Sequence, residues 1–379
     1  MIKSKFYSDL AMESLGKWKS DPIYKTAFHE TGIIYGGSSK ETIKSAIDRY
    51  ETLKKEGYTD LQLLDTEKKF IEIIKDTGMD SLSLKESQRF KGWKGFYQKK
   101  NCGWTYAALA LQNACRECKR LGAKFIIDSV EELNFNHDGN CTGVLTFSGQ
   151  TIFAERVVIT AGANSYKFLD YKGQLLAKCW TVGHIKLKKE ELEALKGCPV
   201  VLNLDKGFFF EPDEFGDLKF CNEFPGYINL KNHKMSEGKI SVPVYKDKIP
   251  KEAETLMRDF LSDVLPSIAN RKFNVAKICW CTDSPDRHFL ICEHPDHKGL
   301  ILGTGDSGQG FKYMPIIGKY IAAVTRKGNE GLCEEKREAW RWRPETAANR
   351  DIYALQERAG GSNKIKDLKD VGSWTNGSE

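Results

Sequence analysis

A short glycine-rich stretch constrains this chain more than any other feature. Gly303-Thr304-Gly305-Asp306-Ser307-Gly308-Gln309-Gly310 follows the apolar run Gly299-Leu300-Ile301-Leu302 and precedes a helical pattern from about Met314 to Val324. A strand that breaks into glycines and then into a helix lets a flat or anionic group approach the backbone, because glycine has no Cβ and accepts left-handed angles. Gly303 to Gly308 spells GxGxxG. A dinucleotide-binding unit also needs a second strand after the helix, closed by an acidic residue about 20 residues on. The sequence beyond Val324 offers neither. The stretch therefore reads as a ligand-contacting turn of an α/β sheet, outside a complete βαβ unit.

The remaining pattern gives the setting of that turn. Helical spacing is expected over Tyr7–Lys19, where Leu10, Met12, Leu15 and Trp18 share a stripe that Asp21-Pro22 ends. Ser38-Ser39-Lys40-Glu41 has the spelling of a capping box before a second helix. Further helices are expected over Leu61–Gly78, Tyr106–Arg120 and about Glu252–Val264, so the N-terminal part reads as helix-rich. Strands are expected over Lys124–Ile127, Val130–Phe135, Cys141–Phe147, Thr151–Phe153 and Arg156–Thr160, the last ending at Ala161-Gly162-Ala163. Alternating strands run from Thr181 to Cys221, and Ile278–Cys281 and Phe289–Cys292 lead into the glycine turn. This order predicts an α/β domain interrupted by a β-sheet domain, and 379 residues suffice for two cores.

Composition excludes several classes. With 40% hydrophobic and 29% charged residues and a dispersed net charge of +6, the chain reads as globular, and nucleic-acid binding is not expected. No run reaches the ~18 apolar residues of a membrane span, and the first ten residues lack the apolar segment of a secretory signal. The eleven cysteines then read as free thiols in a reducing compartment. Cys115 and Cys118 form a CxxC inside a helical pattern with no second pair or neighbouring His, so no metal site is expected. The terminal Asn-Gly-Ser-Glu is no peroxisomal signal, which leaves the cytoplasm as the expected address.

The stretch from Asp283 to Gly318, DSPDRHFLICEHPDHKGLILGTGDSGQGFKYMPIIG, resembles the C-terminal flavin motif of the monomeric sarcosine oxidase family of FAD-dependent oxidoreductases. SDLAMESLGKWKSDP, FFFEP, LKFCNE and WRWRPE are similar to its fructosyl-amino-acid oxidase (amadoriase) branch, so the likeness covers nearly the whole chain. The resemblance implies an α/β fold: a glutathione-reductase-like FAD-binding domain with an inserted antiparallel β-sheet substrate domain. The first would comprise residues 1–30, 85–180 and 276–340, the second 31–84 and 181–275, with 341–379 as a surface tail. Family members open with a strand–GxGxxG–helix unit, and the likeness begins downstream of it. The FAD-binding domain is thus expected to be incomplete at its N-terminus, and residues 1–379 alone are expected to hold no FAD.

Residue roles follow from the same resemblance. Cys279 matches the cysteine that tethers FAD through a thioether, with Cys281 as the rival candidate. Lys219 matches a lysine beside the flavin that assists oxygen, and Glu223 a carboxylate that accepts hydrogen bonds from sugar hydroxyls. Lys312 matches the lysine that pairs with the substrate carboxylate. Gly305, Ser307, Gly308, Gln309, Gly310 and Phe311 fall on the flavin-contacting turn, and Gly162 and Ala163 on a second strand end touching FAD. Gln309 stands where simpler sarcosine oxidases carry His. The implied reaction is oxidation of the C–N bond of a fructosyl amino acid: a hydride leaves the carbon beside the secondary amine, the imine hydrolyses to amino acid and osone, and oxygen becomes hydrogen peroxide. Alternatives are oxidation of saccharopine, pipecolate or sarcosine, or a non-catalytic truncated paralogue. The expected partners are a small secondary amine and oxygen, and the expected state is a monomer.

Overall fold

Amphipathic spacing makes helices wherever strand pairing does not override it. The computed structural model describes residues 5–77, 79, 89–234, 236, 238–354 and 364–378. Helix α1 spans Lys5–Ser20 and buries Phe6, Tyr7, Leu10 and Trp18. Helix α2, Lys40–Lys55, starts from Ser39 as N-cap, and Thr42, not Glu41, closes its capping box. Asp205 reaches in from elsewhere in the chain: its Oδ2 accepts the amides of Ser38 (2.7 Å) and Ser39 (3.1 Å) and the Thr42 hydroxyl (2.6 Å). The expected helix over 61–78 divides into a strand, Leu61–Leu64, and α3, Glu67–Asp76, because residues 61–64 pair with 94–98. Tertiary pairing wins there over local spacing. The remaining helices are α4 (Ala107–Arg120), α5 (Lys189–Leu195), α6 (Lys251–Val264), α7 (Met314–Lys327) and α8 (Glu334–Trp340).

The strands form two main sheets. The larger has the order 275–283, 176–186, 217–228, 207–209, 200–203, 33–37, 94–98, 61–64, with 366–367 beside 217–228. Its ladders are antiparallel except 200–203 with 33–37 and 217–228 with 366–367. Strand alternation sends Ile34, Leu64, Ile185, Val201, Phe209, Leu218 and Phe220 to one face, against Phe70 of α3 and Met257, Phe260 and Leu261 of α6. Each such side chain contributes about 1.5–3 kcal/mol through burial. On the opposite face α2 covers strands 33–37 and 94–98, where the Phe96 ring lies 5.3 Å from Tyr35 and 6.0 Å from Tyr50. On the 207–228 and 275–283 side, that face keeps Phe208, Phe210, Lys219 and Cys279 accessible.

The smaller sheet orders 290–293, 300–304 and 157–159, the last two parallel. Phe289, Ile291 and Ile301 turn toward Phe6, Tyr7 and Leu10 of α1, Ile316 of α7 and Trp340 of α8. Leu290, Cys292, Leu300 and Leu302 turn the other way, against Cys141, Ile159, Leu169 and Tyr171. A meander of 130–135, 141–146 and 151–153 lies beside it. The result is a mixed α/β fold with the glycine turn leaving the end of strand 300–304.

Four expectations are corrected. Residues 124–127 form no strand, and Ile127 is fully exposed; a β-branched run has no ladder without a neighbour to bond its backbone. The N-terminal part is helix-rich, but where no strand was expected it also gives 33–37, 61–64 and 94–98 to the larger sheet. Strand 176–186 runs straight through the domain boundary read at 180/181, strand 275–283 of the same sheet lies almost wholly on the other side of the one read at 275/276, and residues 94–98 sit in the sheet assigned to the other domain. The segment after Trp340 is woven in: Arg343 and Asp367 are buried, and Leu368 and Trp374 pack with Cys179, Tyr227 and Ile278. Among the described residues no helix is long and apolar enough to cross a membrane.

Asp205 generates a stability prediction. Burial opposes its ionisation, but the bonds from Thr42, Ser38 and Ser39 outweigh that and hold the carboxyl below its ordinary range. A depressed folded pKa means the contribution is present above the unfolded value of about 3.9 and fades as pH falls through the folded one. Asp205→Asn should cost about 1–3 kcal/mol in urea unfolding near neutral pH. The deficit should shrink once both states are protonated, and a deficit independent of pH would refute this role.

Candidate functional site

The glycine turn is built from left-handed backbone. Gly305 has φ 72°, Ser307 φ 50° and Gly308 φ 69°. A Cβ on Gly305 would stand 3.2 Å from the Leu290 amide nitrogen, and one on Gly310 only 2.8 Å from Cβ of Asp306. Ser307 adopts this conformation without being glycine, at about 1–2 kcal/mol of strain. Its bonds explain why: the fully buried Ser307 donates its amide to the Thr282 carbonyl (2.7 Å) and accepts the Ser284 amide on Oγ (3.1 Å). Asp306 completes the stitching, taking the Thr282 amide on Oδ1 and the Gly308 amide on Oδ2, both at 3.1 Å. Gln309 donates to the Arg287 carbonyl (3.1 Å), and Phe311 stacks on Trp18 at 6.0 Å. The sequence reading passed over Asp306, although an aspartate within a glycine turn is the residue type that bonds nearby amides.

A small cleft lies beside the second expected contact and reaches the strand residue that anchors this turn. Its lining includes Gly162, Ala163, Tyr166, Leu175, Ala177 and Thr282, so it runs from the end of strand 157–159 to the residue that anchors the turn. Gly162 is left-handed (φ 53°) and open space lies where its Cβ would be. Of the expected glycine contacts Gly162 lines this cleft, Gly308 is exposed on the turn beyond Thr282, and Gly305 is buried. Among the described residues no set of three His, Cys, Asp or Glu is placed to hold a metal ion.

Cys279 and Lys219 lie away from that cleft lining, on the accessible face of the larger sheet. Cys279 is exposed and sits opposite Trp180, while Lys219 sits opposite His184 on the far side of the same central strand. Register puts both side chains on one face, with α-carbons about 16 Å apart from strand spacing and rise. Cys281 shares that face but is only partly accessible, with its thiol 3.7 Å from Asp283 Oδ1, so access separates the two cysteines. Close by, Lys178 and Asp283 form a fully buried ion pair at 2.6 Å, which no sequence pattern announces. Lys219 Nζ stands 5.7 Å over the Phe210 ring, which stacks on Trp104 (5.2 Å), itself stacked on His29 (4.1 Å). Glu211 fixes the stack by accepting from Trp104 Nε1 (3.0 Å) and the Gly197 amide (2.7 Å). Among the described residues no carboxylate pairs with Lys219. His184 is pushed below the usual imidazole value, first by burial and then by Lys219. Glu223 is in the same strand, but its side chain lies outside the described residues.

Lys312 is tied to α1 through its backbone: its carbonyl accepts the Ser14 hydroxyl (2.5 Å) and Trp18 Nε1 (2.9 Å). Its ammonium stands 5.0 Å over the Tyr313 ring and reaches water. The residue is exposed, yet desolvation of its ammonium, then the charges of Arg287 and Arg49, lower its pKa to about 8. Desolvation and neighbouring positive charge both disfavour the charged form of a lysine. Such a lysine is charged below its pKa and lost as an anion partner above it. Nuclear magnetic resonance of reductively methylated protein should therefore show Lys312 titrating well below the other surface lysines, with Lys312→Met removing that signal. A Lys312 midpoint at the ordinary value of about 10.4 would contradict the assignment.

Known proteins share the sequence and the fold of this chain. The L-saccharopine oxidase of Schizosaccharomyces pombe is 26% identical over 370 residues, covering 90% of this chain and 81% of that protein. Amadoriase I of Aspergillus fumigatus, a fructosyl amine:oxygen oxidoreductase, superposes with a TM-score of 0.88 at 38% identity, over 98% of this chain and 83% of that one. Amadoriase II of the same organism, a deglycating fructosamine oxidase, gives 0.86 at 37% identity, over 98% and 85%. Residues 3–324 match the family model described as FAD dependent oxidoreductase (DAO). The chain belongs to that family of FAD-dependent oxidoreductases, and by family it is an FAD-dependent amine oxidase.

Proposed function

We propose that this protein, when loaded with FAD, oxidises the C–N bond of a secondary amine, foremost a fructosyl amino acid, to amino acid, osone and hydrogen peroxide. The observation that carries the reading is the shared face of Cys279 and Lys219: an exposed thiol, and an ammonium held by an aromatic ring with no carboxylate partner among the described residues. The likeness to the two amadoriases supports the fructosyl substrate. Bound FAD would supply the two-electron acceptor. On this reading Cys279 holds it covalently, and Gly162 and Ala163 at one strand end and Gly305, Ser307, Gly308, Gln309, Gly310 and Phe311 of the turn seat it. Lys312, crowded by Arg287 and Arg49, binds the substrate carboxylate by charge. Lys219 keeps its charge free for the negative charge that develops on oxygen, an electrostatic contribution that a paired lysine could not make. Glu223 orients the sugar hydroxyls.

A second reading, oxidation of a saccharopine-like amine, is favoured by the likeness to L-saccharopine oxidase. Protein supplied with FAD should release peroxide from fructosyl-valine or fructosyl-lysine and not from sarcosine. Peroxide from saccharopine alone would transfer the reading to that substrate, and FAD-loaded protein that releases peroxide from none of these amines would favour a non-catalytic paralogue.

Two variants test the assigned roles in the FAD-loaded protein. After acid precipitation the yellow colour should stay with the wild type and with Cys281→Ser, and pass to the supernatant in Cys279→Ser; retention in Cys279→Ser would overturn the tether. Lys219→Met should slow reoxidation by oxygen about a hundredfold or more while anaerobic reduction by substrate changes little. Equal loss in both half-reactions would mean that Lys219 serves substrate or structure.

A further inference from the structure

Arg343 is 4% exposed, and every N–H of its guanidinium has an acceptor. Nε and Nη2 grip Asp286 as a fork, at 2.7 Å to Oδ2 and 2.8 Å to Oδ1. The remaining donors reach the carbonyls of Phe289 (3.1 Å), Arg341 (2.9 Å) and His288 (3.0 Å). A guanidinium has five such donors, and all five are used. The Arg343 amide is fixed as well, donating to Gln174 Oε1 at 2.7 Å. Burial opposes ionisation of Asp286, but the bond and the charge of Arg343 outweigh it and keep the carboxyl below its ordinary range.

The gripped segment leads directly to the glycine turn. Asp286 Oδ1 also accepts the His288 amide (3.0 Å), the Ser284 hydroxyl donates to the His288 carbonyl that Arg343 holds (2.6 Å), and the Ser284 amide donates to Ser307 Oγ (3.1 Å). Two non-glycine residues on this path, Arg287 (φ 64°) and Ser307 (φ 50°), are left-handed. A second tie comes from α1. Tyr7 Oη accepts from Trp340 Nε1 (3.1 Å) and the Phe289 amide (3.3 Å), so its own proton goes to His288 Nδ1 (3.1 Å). That fixes His288 as the neutral Nε2–H tautomer, in keeping with the lowering of its pKa by burial. Strained backbone persists only where surrounding bonds over-determine it.

We propose that Arg343 is a positioning residue: its clamp on Asp286 and on the 288–289 carbonyls holds Arg287 and Ser307 left-handed, and through Ser284 sets the shape of the glycine turn. Its bearing on the reaction rests on the reading of that turn as the cofactor's seat. Lysine cannot replace it, because an ammonium lacks the planar fork.

Hydrogen exchange followed by mass spectrometry tests the clamp in the protein without added cofactor. Peptides spanning 282–310 contain the Thr282, Ser284, Ser307 and Gly308 amides. In Arg343→Lys and Arg343→Met they should exchange about tenfold faster or more, while peptides of α6 stay within about twofold of wild type. Asp286→Asn, which keeps the shape but weakens the fork, should move the same peptides if the methionine variant fails to fold. Arg271→Met breaks the comparable Arg271–Glu191 fork in another part of the molecule and should leave 282–310 unchanged. Wild-type exchange there in both Arg343 variants, or equal acceleration in Arg271→Met, would overturn the proposal. Slowing of 304–310 by FAD in the wild type is a separate readout of the cofactor's seat, and the clamp is judged from the variants alone.

Discussion

The pairing of Asp306 and Ser307 with both backbone groups of Thr282 is the contact on which the arrangement of this molecule depends. Thr282 belongs to strand 275–283 of the larger sheet, and the glycine turn leaves strand 300–304 of the smaller one. Side-chain and backbone bonds therefore join the two sheets at one residue, three positions from Cys279. The left-handed turn cannot relax without breaking bonds that also align the cysteine-bearing strand. A buried amide or carbonyl left without a partner costs about 1–3 kcal/mol, so the turn and the strand hold their relative position as a unit. Stored strain at Ser307 is a consequence of that coupling.

The cations divide according to what surrounds them. Lys178 is buried in a direct pair with Asp283, and Arg343 has an acceptor for each donor. These charges are immobilised, since an uncompensated buried charge would cost far more than either pair returns. Lys219 and Lys312 instead stand over aromatic rings and remain accessible. A ring face holds an ammonium in place with modest energy and leaves its charge available. The site thus contains fixed cations that shape backbone and available cations that can meet an anion.

Sequence reasoning reached the glycine turn because it lies within one short segment whose residue types state their own requirement, whereas Cys279 and Lys219 were singled out only through the family resemblance. Gly305 and Gly308 are left-handed, as glycines after a strand lead one to expect. Helices α1, α4, α6 and α7 fall within two or three residues of their expected spans. The strand at 61–64 was hidden by helical spacing, and the run at 124–127 looked like a strand without becoming one. Both outcomes turn on which segment lies alongside, and no local pattern carries that information.

The sequence by itself determined the α/β class, the family likeness and the residue types at the turn, because periodicity and short motifs are local properties of the chain. The tertiary structure alone decided that Arg343 grips Asp286, that Asp205 caps α2, that Lys178 meets Asp283 and that Cys279 and Lys219 share a face. In the first three the partners lie 57, 163 and 105 residues apart. A charge or a hydroxyl in a sequence can meet many partners, and only the folded chain, by closing the loops between them, selects one.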